Sequence, residues 1–429
     1  MIDSIWKQNE MPSFPQPEGD LQTDVLIMGG GMAGLLCAHM LRKQGVSCLL
    51  IEADRICRGV TGNTTAKLTT QHGPIYSRLL AQFGEETARI YWEANAAGLE
   101  RLRKLGEGMN CGLETKDSYL YTRKAGGLDG EMEAVKRLGI PADFVSEVAL
   151  PISTAGAIRF RDQAQFDPLR FAAGIARELP IYEHTPARQF VGNRVQTDYG
   201  WITAQRIIVA THFPILNKHG AYFLKLYQDR SYVVALENAG SLDGMYRDQD
   251  SKGLSFREAE GKLLLGGGSH RTGKTGAGWS ELEAQAKALY PQSRVSHRWA
   301  AQDCMSLDGI PYIGPYSQAT PELFVATGFN KWGMTSAMVA AMVLADLVLG
   351  RENPWEEVFS PRRSIWRKQL LLNAGESALN LLRPTAPRCP HMGCALRWNP
   401  QERSWDCPCH GSRFDESGKL LDNPATGDL

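Results

Sequence analysis

The sequence predicts an α/β protein: a parallel βαβ core, a mixed and partly antiparallel second sheet, and a small cysteine-rich module at the C-terminal end. Three observations carry this. An apolar run, Asp24 to Met28, enters a glycine turn and is followed by a helical stretch and a second apolar run. Strand-like and helical segments then alternate through the middle of the chain. Four of the nine cysteines, Cys389, Cys394, Cys407 and Cys409, crowd into the last tenth.

Taken in order, residues 1–22 are polar, hold Pro12, Pro15 and Pro17, and read as an irregular lead-in. Asp24 to Met28 is a buried strand, Met32 to Gln44 a helix, and Val46 to Ile51 a second strand; together they make one βαβ unit. Ile75 to Leu105 is helical, with Gly84 dividing it, and Pro168 to Leu179 is a helix capped by Asp167. Strands are expected at 194–197, 201–202, 207–210, 232–236, 254–257 and 262–265. Near residue 360 the texture changes. Pro354, Pro361, Arg362 and Arg363 mark a boundary, Ser364 to Asn380 is a helical connection, and the remainder is a loop-rich module that needs a metal to fold.

Composition narrows the classes. Of 429 residues, 43% are hydrophobic and 22% charged, with 47 Lys+Arg against 47 Asp+Glu, so bulk charge points to no nucleic-acid partner. The N-terminus shows no export signal, which makes a cytoplasmic location the expectation. The stretch 334–350 is broken by Asp346 and too short to span a bilayer, so a buried helix is expected and no membrane span.

The turn Gly29-Gly-Gly31-Met32-Ala33-Gly34 fits G-x-G-x-x-G between a strand and a helix. Gly29 permits the tight turn, Gly31 lets a pyrophosphate reach the backbone, and Gly34 lets helix and strand pack closely. The helix N-terminus offers free N–H groups to phosphate. Glu52, eighteen residues after Gly34, is placed to grip a ribose hydroxyl. Three further features favour FAD over NAD: the strand and turn Arg206 to His212, the segment Asp308 to Gly314, and Leu323 to Gly328 followed by Gly333-Met334-Thr335. No second complete G-x-G-x-x-G unit is present for a nicotinamide.

In this order, these segments resemble the D-amino-acid oxidase and glycine oxidase superfamily of flavoproteins over roughly residues 20 to 355. The resemblance implies a Rossmann-like FAD-binding fold whose parts, about 23–75, 165–215 and 300–355, lie within an oxidoreductase region of 23–360. It places Thr61, Thr64, Thr65, Ala187, Ala210, Thr211, Gly314, Gly333, Met334 and Thr335 at the cofactor, beside the glycine turn. The loop Gly59 to Lys67 would wrap the pyrophosphate and flavin. Where many members have a Gly-His-Gly turn, this chain has Gly328-Phe-Asn-Lys-Trp-Gly333. Lys331 is therefore a candidate group beside the flavin, with an exposed loop lysine as the other reading. His72 is a candidate base or flavin attachment point, with a turn or core histidine as the alternative.

The segment Gly268 to Thr275 matches the Walker A expression letter for letter. A P-loop lysine and threonine must open a helix, and Gly276-Ala-Gly278 starts one badly. A loop after the 262–265 strand is the expectation.

At the C-terminal end, Cys389-Pro-His391 and Cys407-Pro-Cys409-His410 each supply one Cys and one His. Zinc is the rival, but zinc fingers pair Cys with Cys and His with His. One Cys and one His from each loop suit a [2Fe–2S] cluster with two thiolates on one iron and two imidazoles on the other. Both boxes, with Cys394, Cys409 and the Cys-His-Gly-Ser ending, resemble the Rieske family. Residues 361–429 are then a linker helix and a small all-β Rieske cluster-binding module. The resemblance implies Cys389, His391, Cys407 and His410 as ligands, a disulfide between Cys394 and Cys409, and a hydrogen bond from Ser412 to a cluster sulfur. Phe414 stands where respiratory members often have a tyrosine, which implies a potential below theirs. The short segment before Cys389 leaves no room for a separate basal sheet, so the module is expected to pack on the flavoprotein body.

A flavin and a one-electron cluster in one chain imply conversion of two-electron to one-electron transfer. The expected function is an FAD-dependent dehydrogenase that oxidises a small amine or amino acid and passes electrons singly through the Rieske centre to an external acceptor. An electron-transfer reductase feeding a partner enzyme, or a redox sensor with little turnover, stay open as alternatives.

Overall fold

A computed structural model describes residues 3–216, 219–276, 278–384 and 387–429; the first two residues of the lead-in lie outside it. The βαβ unit forms as read: Leu21–Met28, helix Met32–Lys43, and strand Cys48–Ile51, parallel to the first. Their near-continuous apolar sequences suit strands covered on both faces. The first sheet runs Tyr312–Ser317, Thr320–Thr327, Trp201–Val209, Leu21–Met28, Cys48–Ile51, Ile181–Tyr182. Its central pairs are parallel. The two short segments expected at 201–202 and 207–210 are one continuous strand, because the whole span pairs with Leu21–Met28. The 334–350 stretch is the helix Gly333–Val348, buried along most of its length. Gly98, on the long helix Tyr76–Gly106, lets that helix cross it: a Cβ there would sit 3.1 Å from Thr335 O. Gly84 breaks the long helix at φ 84°. Asp167 caps Pro168–Ala176, its side chain accepting from the Leu169 and Arg170 N–H groups.

The second sheet has nine strands and is mixed. Its order is Arg294–Ser306, Leu226–Glu237, Lys262–Arg271, Ser255–Ala259, Met245–Asp248, Glu114–Thr122, Gly156–Gln165, Lys67–Leu68, with Asp143–Val145 alongside. The expected strands at 232–236 and 262–265 are parts of longer ones, and the one expected at 254–257 forms one residue later, as Ser255–Ala259.

The lead-in has a structural role that its composition hides. Ile5–Gln8 is a 3-10 turn with Ile5 and Trp6 buried. Trp6 Nε1 donates to Thr64 O at 2.7 Å, and Ser4 Oγ donates to Gly62 O. The lead-in therefore clamps the 59–67 loop from outside.

The C-terminal part starts with the helix Lys368–Leu382 and continues in four antiparallel strands, Arg397–Asn399, Ser404–Asp406, Arg413–Asp415 and Leu420–Asp422. Its own core is small: Leu396, Phe414, Ala425 and four cysteines. Docking on the body adds the rest. Arg413 is buried and binds Asp406, Glu402 and Asp422 at 2.9, 2.9 and 3.0 Å. Arg230, from the Leu226–Glu237 strand, reaches across and donates its Nε to Glu402 Oε1 at 2.7 Å. Burial pushes the Glu402 carboxyl up, but Arg230 and Arg413 outweigh it and hold it at about 2.

Glu402→Gln leaves two buried guanidinium groups short of a carboxylate, a loss worth about 3–5 kcal/mol. We expect the urea midpoint of the C-terminal module to fall, and protease cleavage to release residues past about 360. A carboxyl depressed in the fold stabilises above its unfolded value, roughly 4.3, and that stability is lost as pH falls toward the folded one. In wild type the module should therefore loosen between about pH 4 and 2, and the variant should lose most of that dependence.

Candidate functional site

The glycine turn has the geometry a dinucleotide needs. Gly29 has φ 106°, and a Cβ there would meet Ala210 O at 2.5 Å. A Cβ on Gly34 would strike Gly29 O, so both positions exclude side chains. At Gly31 the nearest atom to a Cβ is Thr61 Oγ1 at 3.5 Å, which leaves the turn open to a close ligand. Thr61 Oγ1 accepts from the Met32 N–H at 3.0 Å and ties the 59–67 loop to the helix N-terminus; Ala33 follows, buried. The Glu52 carboxylate lies at the strand end, accepting from Gly30 N at 2.7 Å and Asp54 N at 3.0 Å. Burial raises its pKa, so a further hydrogen-bond donor such as a hydroxyl would favour its charged form. Ala187 packs against the apolar cluster beneath this sheet, and the Ala210 N–H donates to Met28 O at 2.8 Å, closing the cradle. These residues fit an adenine dinucleotide.

Gly314 lies within the Tyr312–Ser317 strand, where a Cβ would come 3.1 Å from Pro361 Cδ, and it does not line the cleft described next.

A cleft with about 850 Å³ of empty space, partly open to solvent, lies between the two sheets. The 59–67 loop and the 328–334 turn lend it Thr64, Thr65, Lys331, Gly333 and Met334, and the second sheet lends Lys67, Ser231, Arg247, Ser269 and Asp303. The Gly328 to Gly333 turn is strained: Asn330 and Lys331 take φ 53° and 71°. Asn330 Oδ1 fixes it by accepting from Ser306 N at 2.9 Å. The strain aims Lys331 into the cleft. Its Nζ donates to Asp229 Oδ1 at 2.6 Å, to Ser231 Oγ at 2.8 Å and to Ser269 Oγ.

His72 lies outside the cleft. It is buried, with Nδ1 against Tyr91 Oη at 2.7 Å and Nε2 against Thr69 O at 2.8 Å and Thr335 Oγ1 at 3.1 Å. Its ring stacks under Trp332 at 4.9 Å. Burial drives its pKa down to about 3, against a small opposing effect from Thr69 O, so it is neutral. The geometry is that of a support for the Lys331–Trp332 turn.

Sequence reading missed Arg247, Asp229, Ser269 and Asp303, because no local pattern marks them; the register of the second sheet alone brings them together. Arg247 makes no salt bridge among the described residues, with Asp229, Asp303 and Asp248 acting on it at longer range, and lies over Trp332 at 5.8 Å. Lys67 Nζ donates to Ser255 Oγ at 2.7 Å. Burial and the nearby Arg247 and Arg257 push the Lys67 ammonium well down. The Asp303 carboxyl is pushed up to about 6, chiefly by burial; Asp229 adds to this, and Lys331, Arg247 and Arg230 oppose it.

The cluster boxes form two matching turns. Gly393 N donates to Cys389 O and Gly411 N to Cys407 O, at 2.8 and 2.9 Å. The His391 and His410 rings stand 4.9 Å apart and nearly perpendicular. Burial drives the pKa of His391 down to about 4 and that of His410 to about 3, with His391 and Arg271 adding to the latter, so both are neutral. Neither nitrogen of His410 completes a hydrogen bond of ordinary geometry; the Phe223 backbone touches it only weakly. Two neutral imidazoles, His410 buried and His391 half-buried, beside buried thiols suit metal coordination. The sulfurs of Cys394, Cys407 and Cys409 lie within 4.8 Å of one another, and all nine cysteines are free thiols, so the Cys394–Cys409 bridge implied by resemblance is not formed here. Ser412 Oγ accepts from Ala425 N at 3.0 Å, which leaves its own proton to donate. Phe414 is buried and brings no hydroxyl.

One sheet separates the two sites. On the Leu226–Glu237 strand, Asp229 reaches the cleft lysine, while its neighbours Gln228 and Arg230 face the cluster module. A Cβ on Gly411 would strike the Gln228 side chain. On the next strand Asp303 lines the cleft, and Gln302 Nε2 donates to Gly411 O at 2.9 Å. The Walker-like segment belongs to this contact. Arg271 donates to Pro408 O at 3.1 Å and to Cys409 O at 3.2 Å, and Gly273 leaves room for Pro408. Lys274 pairs with Glu376 of the Lys368–Leu382 helix. A helix does begin at Gly278, against expectation, but three residues past Thr275.

Comparison with known proteins agrees with this geometry. The FAD dependent oxidoreductase (DAO) family profile matches residues 24–347, and the Rieske [2Fe-2S] domain profile matches 358–429. The chain is 34% identical to the Rieske 2Fe-2S iron-sulfur protein YhfW of Bacillus subtilis, over 99% of this chain and 96% of that one. Glycine oxidase from Geobacillus kaustophilus superposes with a TM-score of 0.69 at 21% identity, covering 80% of this chain and all of that one. L-proline dehydrogenase from P. horikoshii superposes at 0.68 and 17%, covering 82% and 98%. The chain belongs to the FAD-dependent oxidoreductase (DAO) family, binds FAD, and carries a Rieske [2Fe–2S] domain as its C-terminal part.

Proposed function

We propose that this oxidoreductase is a dehydrogenase of a small amino acid, and that the electrons leave singly through the Rieske centre to an external acceptor. The observation that carries the substrate is Arg247. It is a cation in the cleft that makes no salt bridge among the described residues; Asp229, Asp303 and Asp248 act on it only at longer range. A substrate carboxylate would take a two-pronged hydrogen bond from the guanidinium and offset the cost of burying it. The neighbouring folds act on carboxylate-bearing amines by name, glycine and L-proline, which agrees with this choice.

Bound FAD supplies two-electron acceptance and single-electron release, and the cluster carries one electron at a time. The chain's own residues do the rest. Arg247 holds the carboxylate. Asp303, poised near 6, takes the proton of the substrate ammonium so that the free amine is present at the reacting carbon. Lys331, held by Asp229, Ser231 and Ser269, keeps a fixed positive charge at the cleft floor. Gln228 and Gln302 keep the cluster loop seated on the back of the same sheet.

Anaerobic titration of the holoprotein with pooled amino acids, pooled simple amines and then NAD(P)H tests the reading. Bleaching of the flavin absorbance by the amino acids, followed by loss of the oxidised cluster bands, is expected. Bleaching by NAD(P)H alone would make the protein a reductase feeding a partner, and bleaching by nothing a sensor.

Arg247→Gln should remove about 1.5–3 kcal/mol of charge-assisted binding. That lowers kcat/KM for the amino acid on the order of 10- to 100-fold, mostly through KM. Simple amines should be unaffected.

The kcat/KM profile should rise with pH through about 6, the value of Asp303, because the ionised carboxylate is the proton acceptor. Asp303→Asn should flatten that limb. An unchanged limb would remove Asp303 from the chemistry.

A further inference from the structure

The Lys368–Leu382 helix is built inside out. Its buried positions include Asn373 and Asn380, which bond the body and the cluster module. Asn373 Nδ2 donates to Leu224 O at 3.1 Å, and Asn380 O accepts from Ala395 N at 3.0 Å. Apart from Leu370, its leucines point outward: Leu371, Leu372, Leu379 and Leu382 are 71%, 61%, 65% and 82% exposed, and Trp366 just before the helix is 79% exposed. Residues 371, 372, 379 and 382 fall on one face at helical spacing. Large apolar side chains scattered singly on a surface are ordinary; a contiguous set on one helix face marks a binding surface.

The charge around this face selects the partner. Between Ser360 and Pro400 there are seven Lys and Arg residues and one acid, in a chain whose formal net charge is zero. The acid, Glu376, is turned inward to Lys274. Arg362 and Lys368 at one end of the helix and Arg383 at the other are exposed and have no carboxylate partner among the described residues. Arg388, beside Arg383, spends its guanidinium on the carbonyls of Leu381 and Gly393, at 3.1 and 2.9 Å, which leaves its charge uncompensated. An apolar face with tryptophan, rimmed by cations at both ends, matches the headgroup region of an anionic bilayer. A symmetric dimer through the same face fits poorly, because both ends are basic and either orientation sets cations against cations.

We propose that the outer face of the Lys368–Leu382 helix docks on an anionic lipid surface, lying flat in the headgroup layer. No helix among the described residues is long and apolar enough to cross a membrane, so the attachment is peripheral. Arg388 ties the end of this helix to the first cluster turn, and Met392 in that turn is exposed. Docking would bring the cluster module to the membrane surface, where an acceptor dissolved in lipid is reachable. The proposal rests on the helix alone and stands whatever the substrate proves to be.

The test is sedimentation of the full-length holoprotein with vesicles of phosphatidylcholine alone or mixed with phosphatidylglycerol. Binding to the mixed vesicles at low salt is expected, weaker on the order of tenfold for neutral vesicles or in high salt. The double variant Leu372→Ser, Leu379→Ser should lose binding while its flavin and cluster spectra stay unchanged. Lipids brominated on their acyl chains should quench part of the tryptophan fluorescence, and Trp366→Phe should remove that part. Absence of binding to anionic vesicles overturns the proposal, as does a double variant that binds like wild type. A wild-type dimer that the double variant dissociates, with no vesicle binding, assigns the face to a second copy and overturns it too.

Discussion

The cleft and the cluster module hang on the two faces of one sheet, the second. Side chains alternate along a β-strand, so neighbouring residues necessarily serve opposite sides. At Gln228-Asp229-Arg230 this puts one carboxylate against the cleft lysine and hands its two neighbours to the cluster module. At Gln302-Asp303 the same rule divides a cluster-loop contact from a cleft acid. A slip of one residue in register would invert both sites at once.

The constraint explains how so small a module stays folded. Its private core is little more than Phe414, Leu396, Ala425 and the cysteines. The body supplies a guanidinium, Arg230, to a buried acid the module already shares with Arg413. It also supplies Arg271, which is satisfied by carbonyls of the cluster turn itself. The body thus takes the place of the basal sheet that the short segment before Cys389 leaves out, as the sequence suggested.

What was readable in the sequence is what chemistry confines to short spacings. Gly29, Gly31 and Gly34 had to lie within one turn, and each cluster box had to place its Cys and His within a few residues. The βαβ unit, the capped helix at Asp167 and the buried helix after Gly333 were legible for the same reason. The cleft was not. Arg247, Asp229, Ser269 and Asp303 come from four strands and meet only through pairing registers that no local pattern encodes. Trp6 was hidden in a polar, proline-rich stretch, and its role as a clamp on Thr64 depends on a contact 58 residues away. The Walker-like letters at Gly268 to Thr275 show the converse. Gly273 and Lys274 there serve a protein contact, with Pro408 and Glu376.

The cleft and the cluster lie on two faces of one sheet, an arrangement that would join them for electron transfer inside a single molecule. The most direct measurement is rapid-freeze EPR of the anaerobic holoprotein, following the reduced-cluster signal after mixing with a substoichiometric two-electron donor to the flavin. The account predicts a rate of cluster reduction that does not change with protein concentration, and that slows when Gln302→Leu loosens the seat of Gly411. A rate proportional to protein concentration would mean that electrons pass between molecules, and would contradict it.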